Sequence, residues 1–271
     1  MTACGEGTMR WRVWGKGRPL VLLHGGNGSW CHWIRNIDFF SDRSRVIVPD
    51  LPGFGDSAEP PGPPDSLTHA MLAEILVAGL RSFLEMKEPI DLVGFSFSGT
   101  LSGEMARSLG RGVRNLVLTS PGGYHPLPTP AVAFRKWRSA PPADQAAVHR
   151  HNLAQLMFGK ADSIDALAVQ VQALSAAKSR LRSRNMDHPG VLRPMLARLP
   201  ARIHGIWGGL DATTLGRLEA NCEFMRSCSN SGTVEVVEDA GHWVQYESAD
   251  RFNTILGGIL STPPAGAMNG R

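Results

Sequence analysis

Six short apolar runs, each closed by a glycine, a proline or a polar turn, constrain this chain more than any other feature. They are RPLVLLH (Arg18 to His24), RVIVPD (Arg45 to Asp50), IDLVGF (Ile90 to Phe95), VRNLVLTS (Val113 to Ser120), ARIHGIW (Ala201 to Trp207) and TVEVVE (Thr233 to Glu238). Near-continuous apolar strands of this length are what a sheet covered on both faces requires. Between them lie stretches of helical character, from Trp30 to Phe40, Ser66 to Glu85, Ser98 to Leu109, Thr214 to Ser227 and Val244 to Leu260. Strand and helix in alternation predict βαβ units, and so an α/β fold with a doubly wound, mostly parallel sheet. An edge strand over Met9 to Trp14 adds antiparallel pairing.

One interval breaks the rhythm. From Gly122 to Arg198 no convincing strand occurs, the segment opens with the proline-rich GGYHPLPTP, and helical periodicity returns in Ala143 to Phe158 and Ser163 to Arg182. The simplest account is a core of residues 1–121 and 199–271 interrupted by a helical insertion, 122–198. The chain's 271 residues, 42% of them hydrophobic, suffice for one sizeable core. Four scattered cysteines, Cys4, Cys31, Cys222 and Cys228, fit neither a disulfide framework nor a CxxC zinc site. They read as free thiols, and no metal or cofactor is expected.

The formal net charge is only +4, and the densest basic cluster, AAKSRLRSR, reads as a solvated helix face or pocket rim rather than a nucleic-acid surface. The N-terminal residues lack the apolar core of a secretory signal, and no apolar run approaches the roughly 18 residues of a membrane span. These features point to a cytoplasmic protein whose partner is a small-molecule substrate, with no nucleic acid and no membrane; a homodimer stays open.

Chemistry concentrates in VGFSFSG, where a strand must stop and a helix must start within a few residues. With Ser96 at the apex, Gly94 and Ser98 flank it two residues away on either side, both small, as a nucleophile elbow needs. With Ser98 at the apex the flanks become Ser96 and the β-branched Thr100. Ser96 is therefore the candidate nucleophile, and Ser98 a packing or helix-capping residue. A serine hydroxyl needs a base, and that base needs a group to fix its tautomer. His242, in EDAGHW after the last predicted strand, is the candidate base. Asp211, in WGGLD, follows the preceding strand in the same way, with Asp239 as the rival acid. The turn HGGNGSW supplies backbone donors for an oxyanion: Gly26 N–H, paired with Phe97 N–H behind the nucleophile. His24 there fixes the turn rather than acting as a base.

Taken together, GFSFSG, the HGG turn, DLPGFGDS, WGGLD and AGHW resemble the α/β-hydrolase family over roughly Met9 to Leu260. The resemblance implies an eight-stranded sheet, or seven strands without the first, with a helical cap inserted after the sixth. It also implies a triad of Ser96, Asp211 and His242. A serine nucleophile separates the chain from the branches that attack through a carboxylate. GHWVQYESADRFN further resembles the meta-cleavage-product hydrolases, in which the tryptophan after the histidine, here Trp243, lines the pocket. Phe95 departs from that branch, which usually has Asn before the nucleophile, and a cap arginine to grip a dienoate would come from Arg180, Arg182 or Arg184. Phe95, Phe97, Trp30, Trp33, Trp137 and Trp243 suggest an apolar pocket wall, although aromatics also fill cores.

The expectation is a serine hydrolase of a small or medium apolar ester, lactone or thioester. A C–C bond hydrolase, a triad enzyme using another acceptor, and a ligand-binding or accessory protein on the same fold are the alternatives.

Overall fold

A computed structural model of the chain describes residues 1–125, 132–186, 189–228 and 230–262. At the N-terminus β1 (Thr2–Cys4) and β2 (Gly7–Met9) pair antiparallel as a separate hairpin, which no apolar run announces. The main sheet is built from β3 (Trp11–Trp14), β4 (Arg18–Leu23), β5 (Ser44–Pro49), β6 (Ile90–Phe95), β7 (Val113–Thr119), β8 (Arg202–Gly208) and β9 (Ser231–Val237). Its order is β3-β5-β4-β6-β7-β8-β9, with β3 antiparallel to β5 and every other pairing parallel. The sheet thus has seven strands, the smaller of the two expected counts. The insertion accordingly follows β7, the fifth of these seven in chain order.

The helices are α1 (Ile37–Ser41), α2 (His69–Phe83), α3 (Ser98–Leu109), α4 (Gln145–Leu156), α5 (Ala166–Ala177), α6 (Leu192–Leu196), α7 (Leu218–Ser227), α8 (Val244–Glu247) and α9 (Ala249–Ser261). Successive side chains of a strand point to opposite faces, so each central strand feeds two cores. Val21, Leu23, Leu92 and Leu116 pack with Leu72, Leu76 and Leu80 of α2 and Leu101 and Met105 of α3. Leu20, Leu22, Val93 and Val117 pack with Ile37 and Phe40 of α1 and Phe252 and Leu256 of α9. That two-sided burial explains why the runs read as continuously apolar.

The chain leaves β4 for β5 on one side and then crosses to β6 on the other, so neighbours β4 and β6 mark the point where the winding reverses. A crevice opens beyond the carboxyl ends of strands at such a point. The HGG turn leaves the end of β4 and Ser96 follows the end of β6, which brings both to that crevice.

Toward the opposite, N-terminal edge, polar groups tie four strands together. Thr233 N–H donates to His204 Nδ1 (2.9 Å), His204 Nε2–H donates to Asn115 Oδ1 (3.2 Å), and Asn115 Nδ2 donates to Asp91 Oδ1 (2.8 Å). Arg114 brackets the same carboxylate through Nε (2.9 Å) and Nη2 (2.7 Å) and also holds the Leu260 carbonyl of α9.

Between β7 and β8 the described residues form α4, α5 and α6 and no strand. Asp165 caps α5, its carboxylate accepting from Ala168 N–H at 2.7 Å. This helix stops at Ala177 rather than at Arg182, because the next residues run as a strap whose Arg180 N–H donates to the Gly53 carbonyl (2.9 Å).

Candidate active site

Ser96 occupies the left-handed region at φ +52°, a conformation that costs a non-glycine residue energy and persists only where the surroundings impose it. Three backbone bonds do so: Ser96 N–H donates to the Thr119 carbonyl (3.0 Å), and the Ser96 carbonyl accepts from Gly99 and Gly122 N–H, both at 2.7 Å. Helix α3 can begin two residues later only because Gly94 has no side chain. A Cβ there would stand 2.3 Å from Ser102 Oγ. Ser98 does not cap α3; its hydroxyl donates to the His24 carbonyl (2.6 Å), tying the Ser96 turn to the turn after β4.

From this apex a relay runs inward. Ser96 Oγ–H donates to His242 Nε2 at 2.8 Å, and His242 Nδ1–H faces both Asp211 oxygens at 3.0 Å. Asp211 and His242 are buried, whereas Ser96 is partly open. Thr213 completes the setting, donating to Asp211 Oδ1 through its N–H (2.8 Å) and its hydroxyl (2.7 Å). Burial alone would raise the Asp211 carboxyl, but the charge of His242 and the hydrogen bonds from His242 and Thr213 outweigh it and hold the carboxyl below its ordinary value. Asp239, the rival acid, is exposed and pairs with Lys160 at 2.9 Å.

The turn after β4 lies beside Ser96. Among the described residues neither Gly26 N–H nor Phe97 N–H has an acceptor in the protein, which leaves two amide donors beside the hydroxyl. Histidines hold the turn. His24 Nδ1–H donates to the Gly25 carbonyl (2.8 Å) while its Nε2 accepts from Leu51 N–H (3.0 Å), the turn-fixing part expected of it. His32 Nδ1 accepts from Gly25 N–H (3.2 Å), a role that nothing in the sequence signals. Burial, then the neighbouring His24 and His242, push His32 well below the ordinary histidine value, so it stays a neutral acceptor.

The aromatic residues divide. Phe95 is fully buried with its ring 5.1 Å from that of His242, and Phe97 packs against Phe54 and His69. Trp243 is fully buried, stacked on Tyr246 at 4.1 Å and donating to the His32 carbonyl (3.0 Å), so it braces the site from behind. Trp30, expected at the pocket wall, instead packs against Trp14 under the Arg12 guanidinium, with its backbone N–H held by Asp50 Oδ1 (2.8 Å). Trp33 packs between Phe95 and Phe252 in the core, and Trp137 faces His149 within the insertion.

The last turn of α5 and the strap after it are fastened to two loops. Ser175 Oγ meets Ser29 Oγ (2.9 Å), Ser179 Oγ donates to Asn27 Oδ1 (3.0 Å) and Lys178 pairs with Asp56 (2.6 Å). Arg180 spends its guanidinium on the carbonyls of Gly55, Ser57 and Lys178. Arg182 is exposed, and the Arg184 side chain lies outside the described residues. All four cysteines are free, and no described helix is long and apolar enough to cross a membrane.

Comparison with known proteins places this geometry in context. The dihydrolipoyllysine-residue acetyltransferase components of the acetoin cleaving systems of Cupriavidus necator and Pseudomonas putida are 27% and 29% identical over 90% and 92% of this chain. The chain spans only 64% and 65% of their lengths. A 2-hydroxy-6-oxononadienedioate/2-hydroxy-6-oxononatrienedioate hydrolase of Escherichia coli is 26% identical over 96% of this chain and 90% of its own. Among solved structures a bromoperoxidase from Bacillus anthracis shares the fold at a TM-score of 0.75 with 20% identity, covering 94% of this chain and 96% of that one; esterases also match. The alpha/beta hydrolase family matches residues 20–255, and the chain belongs to that family.

Proposed function

We propose that the chain is a serine hydrolase that cleaves a small or medium apolar ester, lactone or thioester through an acyl-enzyme. One observation carries this reading: Ser96, His242 and Asp211 form a continuous hydrogen-bonded relay, at 2.8 and 3.0 Å, beside two unengaged backbone amides. In the first half-reaction His242 Nε2 takes the Ser96 proton as Oγ bonds to the substrate carbonyl carbon. The developing oxyanion faces Gly26 and Phe97 N–H, a stabilisation typically worth about 3 kcal/mol per donor. Collapse breaks the bond to the leaving alkoxide or thiolate, which receives the proton from His242. Water then gives a proton to the same nitrogen, attacks the acyl carbon and releases the acid with Ser96 restored. The helical insertion, 122–198, acts as the cap over this site.

Ser96→Ala is expected to abolish p-nitrophenyl acetate turnover and labelling by a fluorophosphonate, whereas Ser98→Ala keeps the label. Labelling that persists in Ser96→Ala would sink the assignment. The E. coli relative favours a second reading, cleavage of a C–C bond. Phe95 against His242 and an Arg180 spent on loop carbonyls support the ester instead. Parallel assays of esters and a meta-cleavage dienoate on the purified protein separate the two.

A further inference from the structure

Ser183, carried on the strap after α5, stands against Gly26. A Cβ built on Gly26 would fall 2.3 Å from Ser183 Oγ and 3.6 Å from Phe97 Cβ, so the hydroxyl, Gly26 and Phe97 converge on one spot. Ser183 is 8% exposed, and among the described residues its hydroxyl meets no hydrogen-bond partner. The Oγ is not sealed from solvent, so a substrate oxygen can replace the water that the hydroxyl otherwise binds. The strap brings it there in a fixed register, because Ser175, Lys178, Ser179 and Arg180 are each tied to the 25–30 or 50–59 loops.

We infer that Ser183 is a catalytic residue supplied by the insertion: its Oγ–H donates a third hydrogen bond to the substrate oxyanion, beside Gly26 and Phe97 N–H. The inference rests on the serine-hydrolase reading of the same site. It makes a fastened strap part of the reactive geometry, rather than a cover alone. A hydroxyl that serves only the oxyanion strengthens in the transition state, so its loss falls on kcat and not on KM.

The test uses the full chain with p-nitrophenyl acetate and a fluorophosphonate. Ser183→Ala is expected to lower kcat roughly ten- to a hundredfold, within the range for losing one oxyanion donor, with KM changed less than about twofold. Ser183→Thr, which keeps the hydroxyl, is expected to restore part of the rate, and the fluorophosphonate labelling rate should fall and recover in step. Gly26→Ala pushes the hydroxyl aside, so the double variant should lose less than the product of the single losses. If the wild type labels at Ser96 but Ser183→Ala turns over at the same or a higher rate, Ser183 is packing or obstruction and the inference fails. Equal loss in Ser183→Ala and Ser183→Thr with a lowered melting temperature also overturns it. If the wild type neither labels nor turns over, the hydrolase reading falls first and takes this one with it.

Discussion

At the scale of single residues the site is built from groups that hold other groups still. Asp211 accepts two hydrogen bonds from Thr213 before it meets His242, which fixes the face that the carboxylate presents to the imidazole. Asp211→Asn is expected to lower kcat by about four orders of magnitude through the wrong imidazole tautomer, read by steady-state kinetics. Asp239→Asn, removing only an exposed partner of Lys160, should leave kcat within about twofold; the opposite ranking would reassign the acid. His32→Leu takes the acceptor from the Gly25 amide, and an unmade buried bond costs about 1–3 kcal/mol, so a melting temperature several degrees lower is expected.

At the scale of elements, the sheet is stitched at both edges by different means. Its carboxyl edge carries the strained Ser96 turn; its amino edge carries the Thr233–His204–Asn115–Asp91 chain across β9, β8, β7 and β6. Burial, then the charges of Arg202 and Arg114, lower His204 to about 4. The unfolded chain, with an ordinary histidine, binds this proton first as pH falls. Stability from His204 is therefore full above about pH 6.5 and is lost as pH drops toward about 4, by up to roughly 3 kcal/mol. Urea titrations across that window should show a steeper loss in the wild type than in His204→Asn. A parallel course would remove His204 as the cause. Leu92 of β6 is fully buried in the cluster that holds the α2 and α3 side chains; Leu92→Ala is expected to cost about 2–5 kcal/mol by the same measurement.

At the scale of the whole molecule, the sequence revealed what repeats and what turns. All six apolar runs became strands within a residue or two at each end: five are largely buried on both faces, and the sixth, β9, is a partly buried edge strand whose β-branched residues and flanking turns mark it. The elbow was legible from spacing, since only small residues fit around Ser96. Of the site residues that escaped notice, two act from other segments and one through a local turn. His32 reaches back seven positions to the turn, Thr213 reads as an ordinary turn residue, and Ser183 arrives from the insertion. Trp30 misled for the same reason: an aromatic beside the turn looks like a wall until Asp50 is seen to hold its backbone. Helix ends were blurred wherever a tertiary bond replaced the cap, as at Ala177.

Gly28 shows what such contacts impose on descent. A Cβ at that position would lie 2.2 Å from His32 Cε1 and 2.5 Å from its Nδ1, the atom that holds Gly25. The two positions are therefore a single unit of inheritance. Lineages that place a side chain at 28 must first have shrunk residue 32, and with it given up this way of pinning the turn beside Ser96. Across a broad alignment of relatives, a glycine at 28 and a histidine at 32 are expected to be kept or lost together.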